Sequence, residues 1–527
     1  MKLYRAFATV GGMTLISRLL GFARDMLIAG VLGTGGVADA FFVAFRFPNL
    51  FRRLFAEGAF NSAFVPLFAK KLEGEGGAGA RRFAEEALAV LLFALLVLTA
   101  IAEVAMPWLM YALAPGFAEN PEKFDLTILM TRIAFPYLPC MSVVALLSGV
   151  LNSMQRYTAA AAAPILLNLV LIGVMLAAGI LGLDNGEAGI LLVWGVALAG
   201  ALQLLMLAIA AYRAGIGLGF RLPRLTPDVR RLLALGVPGV IAGGITQINI
   251  AVGTIIASLE AGAVSYLYYA DRIYQLPLGV VGIAIGVVLL PDISRKLRAG
   301  DMAAVQDSQN RALEFSLLLT VPAAVALLVM AEPICRVLYE RGAFTAGDAQ
   351  ATAWALAALA VGLPSFVLIK VFQPAFFARE DTRTPMWFAL INLLVNVAAS
   401  IALFYALKAA GYPPHTGIAV ATTVSGWINA VLLWGTLGKR GHFALDSRTR
   451  RVLPLLLLSS LMMGAALWFA VEWTAPFVAR PYLTPVRVGV LGGLVALGGA
   501  VFGLTAVLTG ALNLRSFRGA FRRRAKA

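Results

Sequence analysis

The chain of 527 residues is 60% hydrophobic and only 13% charged, with a mean hydropathy of +0.86. A water-soluble domain is nearer half apolar and a quarter charged, so this composition excludes an ordinary globular enzyme. At about 20 apolar residues per crossing it leaves room for more than ten transmembrane helices. The net charge of +16 does not signal nucleic acid, because most Lys and Arg lie in short stretches between apolar runs. Cys140 and Cys335 are too few for a disulfide framework or a Cys-rich metal site, and His415 and His442 are both expected in loops. No catalytic residue, metal ligand or cofactor is therefore expected. The first apolar run follows Met1 almost at once and carries arginines, unlike a cleavable signal.

Taken in order, the first run, 6–33, carries Arg18, Arg24 and Asp25, and the second, 37–69, carries Asp39, Arg46, Arg52, Arg53 and Glu57. Runs at 83–113, 124–153, 158–182 and 188–214 follow. Next come 227–260, 262–297 with Asp271 and Arg272, 303–331, 346–378 with Lys370, 384–409 and 416–438. The last two are 452–472 and 485–513, whose Gly492-Gly493 and Gly498-Gly499 pairs predict close helix packing. Runs longer than a hydrocarbon core of about 30 Å must tilt or extend beyond it. The reading is an all-α polytopic membrane protein of about 14 transmembrane helices.

Basic residues concentrate on one side. Lys2, Arg5, Lys70, Lys71, Arg81, Arg82, Arg213, Arg221, Arg295, Lys296, Lys439, Arg440 and the 515–526 tail lie there, against little beyond Lys123, Arg336, Arg341, Lys408 and Arg480 opposite. This places both termini in the cytoplasm and reads the tail as a topology determinant drawn to anionic lipid.

The chain also repeats at a shift of about 225 residues. Arg46, Pro66, Lys70-Lys71, Pro139, Thr158 and Asn168 match Arg272, Pro291, Arg295-Lys296, Pro364, Thr382 and Asn392. Two pseudo-symmetric six-helix lobes are expected, 1–220 and 221–440. A third region, 441–527, holds two extra helices and the basic tail. A site between the lobes near the midplane is the expectation for such a repeat.

An ionisable side chain inside a span costs a few kcal/mol at the bilayer centre, so it faces a cavity or a partner. At 100° per residue Asp39, Arg46, Arg53 and Glu57 share one stripe, with Asn49 and Arg52 flanking it. Helix-ideal depths put Arg18 with Arg52, and Arg24 with Arg46 and Arg272. Internal pairing is one reading, with Arg53–Glu57 as an i,i+4 pair and Asp25 and Asp39 answering arginines. It leaves a surplus. Arg18, Arg24, Arg46, Arg52, Arg53, Arg272 and Lys370 outnumber Asp25, Asp39, Glu57 and Asp271 by three. A surplus of guanidinium suits phosphate, because the planar fork donates two parallel hydrogen bonds.

The run Ser17-Arg18-Leu19-Leu20-Gly21-Phe22-Ala23-Arg24-Asp25 resembles the opening motif of the MurJ (MviN) lipid II flippases. So does Ala38-Asp39-Ala40-Phe41-Phe42, running on through Arg46-Phe47-Pro48-Asn49, Arg52-Arg53 and Ala56-Glu57-Gly58-Ala59-Phe60. Ala270-Asp271-Arg272, Glu340-Arg341-Gly342-Ala343-Phe344 and Asp381-Thr382-Arg383-Thr384-Pro385 resemble further family motifs.

The resemblance implies the fold of the multidrug/oligosaccharidyl-lipid/polysaccharide exporter superfamily. It also implies export of the lipid-linked peptidoglycan precursor across the bacterial cytoplasmic membrane, hence a part in cell wall biogenesis and cell shape. It implies that Arg18, Arg24, Arg52 and Arg272 line a central cavity with Lys370, and that Asp25, Asp39, Asn49 and Glu57 serve substrate binding or gating. With the residues' own chemistry, substrate binding is assigned to Arg18, Arg24, Arg46, Asn49, Arg52, Arg272 and Lys370. Gating or charge pairing is assigned to Ser17, Asp25, Asp39, Arg53 and Glu57. Gln275 departs from the glutamate that some relatives carry three residues after Arg272, so no charge is expected to act there.

Lipid II and membrane lipids are the implied partners, with other cell-wall synthesis proteins as candidates and no nucleic acid. A membrane potential or ion gradient is expected to drive the cycle, with no bound cofactor. The competing readings are a flippase for another polyprenyl-linked glycan and, in a different class, a membrane glycosyltransferase or phosphatase. The latter needs acids or histidines clustered at a water–membrane face, and the sequence offers no such cluster.

Overall fold

A computed structural model describes residues 2–52, 61–479 and 484–512, with side chains described except at 2–8, 52, 61–62, 237–243, 245–246, 280, 283–284 and 286–287. Arg53, Glu57 and the basic tail, and the side chain of Arg52, lie outside the described residues. The described residues are helical and contain no strand.

In chain order the first helices are α1 (Lys2–Leu32), α2 (Gly36–Arg52), α3 (Asn61–Leu113), α4 (Pro121–Ala134), α5 (Tyr137–Ser153), α6 (Thr158–Leu181), α7 (Asn185–Arg213) and α8 (Pro227–Ala257). They continue with α9 (Ala263–Arg298), α10 (Met302–Val329), α11 (Ala331–Tyr339), α12 (Ala346–Phe377), α13 (Arg383–Ala409) and α14 (Pro414–Lys439). The last two are α15 (Ser447–Val478) and α16 (Thr484–Leu508).

The predicted runs map onto these helices nearly one to one. The second run ends, and the third lies, within α3, which breaks at Gly76 (φ 72°, ψ −171°). The fourth run is α4 and α5 in series, and together they make one apolar crossing. Among the described residues ten crossings are long and apolar enough to span a membrane. The long helices α1 and α9 and the 17-residue α2 are not among them, and these are the helices that carry Arg18, Arg24, Asp25, Asp39, Arg46, Asp271 and Arg272.

Helix starts follow local chemistry. Asp184 and Glu187 form a capping box at α7, as Thr345 and Asp348 do at α12, and Asp301 and Asp446 cap α10 and α15. The aspartate of the Asp381–Pro385 motif accepts from the Thr384 amide at 3.0 Å and from Arg440 at 2.6 Å, so the motif closes the start of α13 onto the end of α14. Burial opposes ionisation of Asp381, but these hydrogen bonds and that of the Thr384 hydroxyl outweigh it and hold its pKa at about 2. The stabilisation is complete above the unfolded value near 3.8 and is lost only as pH falls through about 2, so this contact is no physiological switch.

The duplication is visible in the backbone. Gly76, Gln155 and Gly215 are left-handed, and so are Gly300, Glu380 and Gly441, each 224–226 residues later. Gln155 and Glu380 are the two non-glycine residues with positive φ among those described, at 60° and 61°. The following amides close the same turn, Arg156 N to Leu151 O at 2.9 Å and Asp381 N to Phe376 O at 3.0 Å. A left-handed non-glycine residue costs roughly 1–2 kcal/mol, so its recurrence at one shift marks common descent of the two turns rather than chance composition.

By contacts the chain divides into two compact units, Met1–Ser265 with Arg341–Phe344, and Tyr266–Glu340 with Thr345–Ala527. In the first, α1 packs on α6, α6 on α7, α2 on α4, α3 on α5 and α8, and α5 on α7. In the second, α12 packs on α10 and α14, α13 on α14, α15 on α10 and α16, around a core of Val281, Ile285, Val367, Phe372 and Leu433. A Cβ on Gly417 would lie 2.8 Å from the Leu403 carbonyl carbon, so α13 and α14 meet backbone to backbone.

Two expectations need correction. The packing read from the α16 glycines holds at Gly498, which sits against Leu467, whereas Gly492, Gly493 and Gly499 have nothing within 4 Å among the described residues. His415 is not in a loop. It lies in the first turn of α14, 1% exposed, with Nε2 3.0 Å from Ala351 O and its ring against Tyr266. Pro413 and Pro414 suggest a loop in sequence, but a proline at N1 is a helix start.

Candidate functional site: the charged transmembrane helices

In the first unit α1 and α6 build a polar chain. Arg24 and Asp25 are 4% and 1% exposed, and Arg24 Nε and a terminal nitrogen donate to one Asp25 oxygen at 3.0 and 2.7 Å. Its other terminal nitrogen donates to Asn168 Oδ1 at 3.0 Å, and the Asn168 amide donates onward to Ser17 O at 2.9 Å. Asn168 packs over Gly21, where a Cβ would lie in ordinary contact with its side chain at 3.5 Å. Arg24 is thus answered by a carboxylate. Arg18, two turns earlier, is exposed and makes no hydrogen bond or ion pair among the described residues.

On α2, Asp39 is fully buried. Its carboxylate accepts from Lys123 Nζ at 2.7 Å, Gly262 N at 2.9 Å, and Ser265 N and Oγ at 3.0 and 2.7 Å. Lys123 also lies 3.7 Å from the centre of the Phe117 ring. Arg46 donates to the Thr254 hydroxyl at 2.8 Å, and Asn49 Nδ2 bonds Phe45 O at 2.7 Å beside Pro48, whose missing N–H disturbs the helix ladder.

In the second unit Arg272 donates to Tyr268 Oη at 2.8 Å and lies over the same ring, 4.9 Å from its centre. Gln275 donates to the Asp271 carboxylate one turn before it. Lys370 on α12 is exposed, with its stem in a notch left by Gly282 of α9.

The candidate residues therefore fall into two classes. Asp25 and Asp39 are each matched by a cation inside their own unit. Arg46 and Arg272 each count a hydroxyl among their contacts, and Arg18 and Lys370 are exposed. Sequence reasoning missed Asn168 as a contact residue, Lys123 as the partner of Asp39, Thr254, and Arg487 of α16. Asn168 was legible as a lone amide in the apolar α6. Lys123 was read only as an outer-loop charge.

Helices throughout the described residues, ten of the crossings apolar and long enough to span a bilayer, define a polytopic membrane protein. The profile of the family described as lipid II flippase MurJ matches residues 28–485. A relative from Rhizobium meliloti (strain 1021), described as a probable lipid II flippase MurJ, is 52% identical over 528 residues, covering 100% of this chain and 98% of its own. The lipid II flippase MurJ of Burkholderia cenocepacia is 34% identical, with 100% of each chain covered. Among solved structures, a lipid II flippase MurJ in an inward closed conformation superposes with a TM-score of 0.76 at 25% identity, covering 95% of this chain and 98% of that one. An inward-facing MATE-family multidrug transporter of the MOP superfamily shares the fold at a TM-score of 0.64 and 14% identity, over 83% and 98% of the two chains. The chain belongs to the lipid II flippase MurJ family. It is a multi-pass protein of the bacterial inner membrane, a transporter and not an enzyme.

Proposed function

We propose that this protein moves lipid II, the lipid-linked peptidoglycan precursor, from the cytoplasmic to the outer leaflet by alternating access. A cationic cavity holds the pyrophosphate-sugar head, and the polyprenyl chain lies along α15–α16. What supports the reading is the family match over residues 28–485, with Arg18 of α1 and Lys370 of α12, each exposed and without a hydrogen bond or ion pair among the described residues. A guanidinium holds a pyrophosphate through paired charge-assisted hydrogen bonds. A net positive cavity feels about 2.3 kcal/mol per charge per 100 mV, so the membrane potential or an ion gradient resets the cycle. Depleting the protein in living cells is expected to raise lipid II in the inner leaflet and lower it in the outer. An unchanged distribution overturns the proposal.

Both termini are placed in the cytoplasm on the basic-loop bias. In a cysteine-free background, Asn185→Cys is expected to label from outside and Gly77→Cys only after permeabilisation. Gly77 serves better than Gly76, whose positive φ strains any side chain. The reverse labelling pattern overturns the orientation.

Truncation after Arg451 keeps the buried bond from Thr449 to Glu314 (2.8 Å) that ties the start of α15 to α10. The shortened chain is expected to reach the membrane and fail in transport. Full complementation by it removes the tail-holding role of α15–α16.

A further inference from the structure

The segment joining α11 to α12 has two attachments. Glu340 is buried and accepts from Arg487, in the first turn of α16, at 3.0 Å, with side chains 4% and 6% exposed. The same guanidinium donates to Arg336 O at 2.6 Å and Glu340 O at 3.2 Å, carbonyls at the C-terminal end of α11. Arg336 O also accepts from Glu340 N at 3.1 Å, and a cation at this end of a helix meets the negative end of its dipole.

The next four residues, Arg341–Phe344, group with the first unit. Ala343 N donates to Gly30 O at 2.9 Å, near the end of α1. Gly342 is left-handed (φ 53°), and a Cβ on it would lie 2.0 Å from Gly30 O. A Cβ on Gly33 would lie 2.6 Å from Ala343 O, and Phe344 is fully buried. One peptide bond, between Glu340 and Arg341, joins the ion pair to this clasp on α1.

Burying an arginine and a glutamate gains little stability over an apolar pair, because desolvation cancels most of the attraction. What the arrangement supplies is direction. Three donor contacts on two carbonyls and a carboxylate fix how the chain leaves α11. We propose that Arg487 is a positioning residue, which through Glu340 sets the seat of the 341–344 clasp on α1, so that α16 governs how firmly the end of α1 is held. This deepens the role proposed for α15–α16 and rests on it only for the consequence in transport. The coupling itself is read without substrate.

Hydrogen exchange on the full chain in lipid nanodiscs tests it. Arg487→Ala is expected to speed exchange about tenfold or more in peptides covering 341–344, while peptides in α12–α14 stay protected. Arg487→Lys, which keeps the charge but cannot reach all three acceptors at once, is expected to give an intermediate rate. If Arg487→Ala loosens the whole chain, the lysine variant decides. Faster exchange confined to the clasp supports the proposal, and unchanged clasp exchange overturns it. Failure of lipid II transport in the wild-type chain would strike the proposed function and leave these rates as they are.

Discussion

Arg272→Ala is expected to abolish transport while the protein stays in the membrane at its normal level, and Arg24→Ala to lower that level. The difference lies in burial. Arg272 is only partly buried where it donates to the Tyr268 hydroxyl, whereas Arg24 is 4% exposed and locked to Asp25. Losing a charge-assisted hydrogen bond of about 1.5–3 kcal/mol to the substrate weakens binding about 10- to 100-fold. Arg272→Lys is expected to restore part of this, since lysine keeps the charge but loses both the fork and the flat face over the Tyr268 ring. Arg24→Ala takes from Asp25, 1% exposed, the guanidinium that pairs with it, and breaking a buried pair from one side costs about 3–5 kcal/mol. Arg24→Ala with Asp25→Ala is expected to regain much of that stability. Membrane level, thermal unfolding and lipid II binding, measured on the same four variants, separate the two roles. Equal loss of protein for Arg272→Ala and Arg24→Ala, with binding unchanged, would sink the pyrophosphate assignment of Arg272.

Asp39→Ala is expected to be the most damaging single change in the first unit. It removes the acceptor of four hydrogen bonds at once. Lys123 and the amides of Gly262 and Ser265 are then left without it, and breaking a buried ion pair from one side costs about 3–5 kcal/mol. Adding Lys123→Met, which removes the stranded charge and keeps an unbranched side chain of similar length, is expected to recover part of the loss. A double variant no more stable than Asp39→Ala alone would mean that the amides of Gly262 and Ser265, rather than Lys123, carry the bond. Asp39→Asn keeps one acceptor oxygen and is expected to fall between wild type and Asp39→Ala in thermal unfolding.

The sequence by itself determined the membrane crossings, the helices that carry charge, and the duplication. Hydropathy over some 20 residues is a local property, and a membrane permits no alternative to a helix that satisfies its own backbone. The repeat was equally legible, because residues that shape turns keep their spacing, as Gln155 and Glu380 do. The motifs of α1 and α2 were readable as a charged pair of helices, and the family they resemble is the one to which the chain belongs.

Only the tertiary structure decided which charges are spent on the fold. Asp39 takes Lys123 from 84 residues away and the Ser265 amide from 226 away, Arg24 takes Asn168 from 144 away, and Arg487 takes Glu340 from 147 away. A charge tally along the chain treats every cation in a span as available to an anionic substrate. Whether it is available depends on which helix face packs against which, and no local pattern encodes that choice.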